Sequence, residues 1–207
     1  MLRKLFTLAF ALMMVVSSTG QSNRQKSSLK NSKPIDLLEK DRLTIDDIEL
    51  YQENQVYYYS KGPHYNIRLC LRLLSVTNDP FHLQHIHSQV AGSYRDPGMY
   101  SKAIEHQLYC IKFAIELEDA IAEGYARIQL GNLYFDQQNW ERAKELYDKA
   151  ISISRDIEFP HIETVGLNNL GMIKAAQGAY REALVYYFES LAIRKPTTGS
   201  RDGISHS

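Results

Sequence analysis

His82, His85 and His87 fall within six residues, with His64 upstream, and imidazoles this dense invite a test for metal chemistry. A spacing of three places His82 and His85 on one helix face, which is compatible with ligation. No acidic or cysteine side chain stands at a supporting interval, so the histidines read as solvent-facing or groove side chains. No metal is assigned. Nucleophilic chemistry has no better footing. The chain holds no G-x-S-x-G, no H-E-x-x-H, no C-x-x-C and no phosphate-cradling glycine loop. It reads as non-catalytic, and no cofactor is called for.

The elements that carry these side chains repeat. Ala91, Gly131 and Gly171 are 40 residues apart, as are Tyr100, Trp140 and Tyr180, and Ala103, Ala143 and Ala183. The clearest copy reads Leu130-Gly131-Asn132-Leu133-Tyr134, then Ala143, Tyr147 and Ala150. Small residues at these positions predict a helix pair in which Gly131 faces Ala143 and Ala150, with axes roughly 8–10 Å apart. Leu130, Tyr134, Leu146 and Tyr147 would fill the remaining volume.

Start and stop signals agree with that register. Asn78-Asp79-Pro80 and Pro160 open helices, while Asp96-Pro97-Gly98 and Gln177-Gly178 mark turns. The predicted helices run near 80–95, 99–117, 120–137, 140–157, 160–176 and 180–195. An earlier pair is expected from Thr44-Ile45-Asp46-Asp47, a good helix entry. Its first helix would reach about Ser60, turn at Gly62-Pro63, and be followed by a helix over 65–76. Residues 35–42 suit a short preceding turn of helix. With Tyr65 aligned to Tyr100, Arg68 and Arg72 take the places of the core alanine and aromatic, so the register of this pair stays open.

The L-G-x2-Y and A-x3-F spacings resemble the tetratricopeptide repeat. The 40-residue period is similar to the longer variety seen in kinesin light chain and in bacterial regulators. The resemblance covers 80–119, 120–159 and 160–195, with 34–79 as an N-terminal cap or degenerate repeat. It implies an all-α fold, a right-handed superhelical solenoid of antiparallel helix pairs. Copy one departs at Ala91 and Gln107, and copy three has Lys174 where the aromatic is expected. By the same resemblance, first helices line a concave groove that receives a peptide or helix. The implied groove positions are His85, Ser88, Gly92, Arg95 and Asp96 in copy one. In copy two they are Tyr125, Ile128, Gln129, Asn132 and Asp136, and in copy three Val165, Asn168, Asn169 and Met172. Asparagine suits such a surface, because each amide both donates and accepts. Asn132 and Asn169 equally suit a bridge between neighbouring helices. A two-carboxylate clamp would need lysine and asparagine at set positions, of which only Asn132 is present, so chaperone-tail binding is not supported.

Cys70 and Cys110 would lie on second helices of neighbouring pairs. A disulfide is chemically allowed in an exported protein. Yet Cys110 stands where the repeat wants a small buried residue, as Ala150 does, and a free buried cysteine packs well.

The chain opens with Arg3 and Lys4, a twelve-residue apolar run from Leu5 to Val16, and the small residues Ser18-Thr19-Gly20. Residues 1–20 therefore read as a signal peptide, with export to the periplasm or exterior; left uncleaved, the run would hold the chain at the inner membrane. Residues 21–33 are polar and basic and read as a linker. The remaining length suggests one domain. The 24 basic and 24 acidic residues become 22 and 24 once Arg3 and Lys4 are removed, a balance that argues against nucleic acid as a partner.

Two functions fit this reading. The first is an exported protein-interaction scaffold; the second is the periplasmic sensory fragment of a membrane-bound histidine kinase or transcription regulator. Residues 196–207 read as a loop-like tail. The helix 180–195 carries Leu184, Tyr187, Phe188 and Leu191, more apolar groups than one partner helix buries, so an uncovered strip is expected there. End-to-end self-association or further repeats would cover it.

Overall fold

The computed structural model describes residues 35–194. The segments expected as signal peptide, linker and tail lie outside the described residues. Among those described, all regular structure is helical. The helices are α1 (Ile45–Glu53), α2 (Gln55–Ser60), α3 (Pro63–Leu73), α4 (Pro80–Arg95), α5 (Tyr100–Glu116), α6 (Ala120–Asp136), α7 (Trp140–Asp156), α8 (Pro160–Ala176) and α9 (Tyr180–Arg194). From α4 to α9 the limits differ from the expected ones by at most one residue. The chain divides into two compact units with the boundary after Ala122, where length alone suggests one domain.

One local device reverses the chain throughout. Residues 98, 118, 138, 158 and 178, spaced by twenty, all have positive φ. At each the next residue donates its amide to the carbonyl five positions back, as Asn139 does to Tyr134 at 2.9 Å and Ala179 to Lys174 at 2.9 Å. This is the Schellman arrangement, which satisfies carbonyls at a helix end. Glycine supplies the left-handed conformation at Gly98 and Gly178, whereas Gln138 adopts it at φ 59° with a side chain attached.

In the first unit the entry at Thr44 is a capping box: its amide donates to Asp47 Oδ2 at 2.9 Å. The expected single helix to Ser60 is broken. Asn54 Nδ2 donates to the Leu50 carbonyl at 2.9 Å, and its φ of −117° separates α1 from α2. An asparagine amide competing for backbone groups ends helices in this way. The next helix, α3, runs over 63–73 rather than 65–76. A short 3-10 helix at Leu37–Glu39 precedes them, capped by Asp36. Arg72, which the alignment of Tyr65 with Tyr100 sets at the core aromatic position, is half-buried and donates to the carbonyls of Leu38 at 3.1 Å and Lys40 at 2.6 Å. α3 packs on α4 and α4 on α5. Tyr51, Tyr58, Leu69, Leu73, Ile86 and Val90 form the core. Cys70 and Cys110 are free and buried, and burial raises both thiols, Cys70 to about 12.

In the second unit the close approach sits elsewhere than expected. A Cβ at Gly131 would meet the ring of Tyr147, 2.8 Å from its Cδ1. Gly131 thus faces Tyr147, while Ala143 and Ala150 are fully buried alongside. A flat ring laid across α6 needs the space that two alanines would not. Gly171 repeats the relationship with Tyr187, at 2.8 Å to Cδ1. Gly166 makes the corresponding room for Ile151 between α7 and α8.

Candidate functional site

Each unit offers its own first-helix face. In the first unit the face belongs to α4, where His85, Ser88 and Arg95 are half-buried. The His85 ring stands edge-on to Phe81, with centroids 4.7 Å apart. Burial, then the neighbouring His82, pushes its imidazole down to about 4, so it is neutral at physiological pH. The positions of Gly92 and Asp96 are occupied from the preceding arm. Tyr59 on α2 donates to Asp96 Oδ2 at 3.3 Å, and its oxygen would lie 3.3 Å from a Cβ at Gly92. That contact spans 37 residues, the same separation as Asn132–Asn169 in the second unit. α2 thus touches the face of α4 from the preceding arm, as α6 touches α8.

Histidines gather on the side of α4 facing α5. His87 Nδ1 lies 2.7 Å from His106 Nδ1, so one ring donates and the other accepts. Tyr109 stacks on His87 with centroids 4.6 Å apart, and Tyr94 stacks on His106 at 5.6 Å. Desolvation, then His106, holds His87 down at about 4, and desolvation lowers His106. Among the described residues no three His, Cys, Asp or Glu side chains are grouped to hold a metal ion.

In the second unit the face belongs to α6 and α8. Tyr125 at the start of α6 hydrogen-bonds His161 Nδ1 on α8 at 2.7 Å and meets Phe159 edge-on. Burial pushes the Tyr125 phenol up to about 12, which keeps it a donor. His161 and Phe159 escaped the sequence reading, although an aromatic pair flanking Pro160 was the visible signal. Further along, Asn132 Oδ1 accepts from the Tyr147 hydroxyl at 2.9 Å and from Asn169 Nδ2 at 3.0 Å. Asn132 and Asn169 thus bridge α6 to α8, and the oxygen of Asn132 is fully used. Its amide reaches towards Gln129 Oε1 at 3.5 Å, at the limit of hydrogen bonding. Gln129, Asp136, Val165 and Asn168 are half-buried on the same helices, and Met172 is exposed. Ile128 is a correction: it is 2% exposed and belongs to the core. Adjacent helix positions point about 100° apart, so Ile128 can turn into the core while Gln129 reaches the surface.

The face therefore carries four amide groups, of which Asn132 and Asn169 are tied by a helix-to-helix hydrogen bond while Gln129 and Asn168 stand beside them. It can pair with backbone donors and acceptors of an extended or helical segment.

Residues 121–196 match the family model for the tetratricopeptide repeat. No curated protein sequence matches the chain. Among solved structures, MamA is similar at TM-score 0.55 and 17% identity, over 71% of this chain and 78% of that one. The apo form of RapI is similar at TM-score 0.63 and 21% identity, over 76% of this chain and 58% of that one. Aspartyl phosphate phosphatase F from Bacillus subtilis is similar at TM-score 0.65 and 19% identity, over 74% of this chain and 41% of that one. This chain thus spans less than two thirds of the latter two. At these identities the likeness is one of fold, an all-α array of tetratricopeptide-like helix pairs.

Proposed function

We propose, from the match of residues 121–196 to the tetratricopeptide repeat model, that the chain is a non-catalytic protein-interaction scaffold whose first-helix faces take a peptide or helix. The observation that carries the reading is the amide line of α6 and α8, in which Asn132 and Asn169 are locked together while Gln129 and Asn168 stand beside them. The Asn132–Asn169 bond ties together the two helices that carry Gln129 and Asn168. Export to the periplasm or exterior is part of the same proposal and rests on the basic and apolar start of the chain.

The test separates the binding face from the scaffold. Gln129→Ala with Asn168→Ala is compared with the parent in capture from a periplasmic extract, followed by titration of the captured partner. Loss of capture with unchanged circular dichroism supports the reading. Equal affinity for both proteins overturns it and moves binding to another surface.

A further inference from the structure

The outer face of α9 is apolar where the equivalent face of α7 is charged. Forty residues separate equivalent positions, so Lys144, Glu145 and Asp148 on α7 become Leu184, Val185 and Phe188 on α9. All six are exposed, Val185 to 55% and Phe188 to 65%. On α7 the pattern suits water, because Lys144 Nζ pairs with Asp148 at 2.7 Å.

A following repeat would leave most of this face open. α7 shows what stacking covers, since α8 packs against it. The side chain buried there is Ile151, 6% exposed and lodged at Gly166, while Lys144, Glu145 and Asp148 stay in solvent. The counterpart of Ile151 is Leu191. Further repeats would therefore cover Leu191 and leave Leu184, Val185 and Phe188 exposed. With Tyr180 added, the strip exposes roughly 500 Å² of apolar surface, against about 800 Å² per partner in a standard interface including its polar rim.

The charges around the strip complement themselves. Arg181 and Glu189 each stand four residues from Val185, on the same face, and both are exposed. Antiparallel pairing of two copies about a two-fold axis at Val185 sets Arg181 of one helix opposite Glu189 of the other, twice. A two-fold axis requires such a self-complementary patch. We propose that the outer face of α9 is the interface of a homodimer: two α9 helices pair antiparallel, burying Leu184, Val185 and Phe188 between reciprocal Arg181–Glu189 ion pairs. This goes beyond peptide capture, which uses the first helices, and leaves that face open.

Sedimentation velocity over a concentration series of the full chain tests it. The parent should approach twice the monomer mass. Leu184→Lys with Phe188→Asp rebuilds the ion pair of α7 and should give a monomer with unchanged circular dichroism and melting. Arg181→Glu or Glu189→Arg alone should weaken association about tenfold or more, and the two together should restore it. A parent that stays monomeric overturns the proposal, including one that binds lipid vesicles as a monomer. Association that survives Leu184→Lys with Phe188→Asp assigns it to another surface, the apolar run at 5–16 included, and overturns it too. So does a double charge reversal that fails to restore pairing.

Discussion

Lys174 on α8 pairs with Glu182 on α9 at 2.6 Å, at the positions where the other copies place a cation over a tyrosine. Arg142 lies over Tyr134, 5.4 Å from the ring centroid, and Lys102 over Tyr94 at 5.3 Å. Copy three thus moves the cation to the first helix and supplies an anion from the second. Its departure from the repeat pattern is a compensated exchange. Lys174→Tyr alone should lower the melting temperature, since it leaves a carboxylate at the ring. Lys174→Tyr with Glu182→Arg should recover it. Equal melting of the single and double variants would show that the pair is uncoupled.

The ring of Tyr147 occupies the space of a side chain at 131. Gly131→Ala should destabilise by about 1–3 kcal/mol through overpacking, and Gly131→Leu by more. Tyr147→Leu should relieve part of the cost. Chemical denaturation of the three variants measures it.

Gln138 adopts a left-handed conformation that its counterparts Gly98 and Gly178 take without a Cβ. Gln138→Gly should stabilise by about 0.5–1 kcal/mol, the strain relieved outweighing the added freedom of the unfolded chain. A lower denaturation midpoint would show that the Gln138 side chain contributes more than its backbone strain costs.

Asn132 should prove structural. Asn132→Ala leaves the Tyr147 hydroxyl and the Asn169 amide without their acceptor, at a cost of about 1–3 kcal/mol. Asn168→Ala, outside that network, should cost no more than about 0.5 kcal/mol. Denaturation midpoints of the two variants decide between a support and a surface.

Stability should fall as the solution is acidified. His85 and His87 titrate near 4 in the folded chain and at the ordinary 6.5 when unfolded. Between those values the unfolded state binds more protons, so stability is full above pH 6.5 and declines towards pH 4. His106 is lowered too, and shares its hydrogen bond with His87, so both rings cannot carry a proton on Nδ1 at once. Thermal melts across this window check it, and His87→Phe should flatten the slope. A parent slope confined below pH 4 would assign the effect to carboxylates.

The amino-acid sequence by itself determined the helix pairs from α4 to α9, their 40-residue period and their limits. Those depend on local signals: small residues, prolines at helix starts, and residues that tolerate the turn. Asp79 and Gly98 act where they stand, whatever packs around them. Other features required the tertiary structure. Which small residue receives Tyr147, whether Ile128 faces in, and how Asn132 spends its oxygen all depend on the rotation of each helix against its neighbour. The break at Asn54 is local in origin, since its amide bonds the carbonyl four residues back, and it was not legible because the same residues also suit a continuous helix. The apolar residues of α9 were legible as a surplus. Their place on the outer face, away from the stacking contact, was decided only once α8 lay on α7 and showed which side chains a neighbouring repeat can cover.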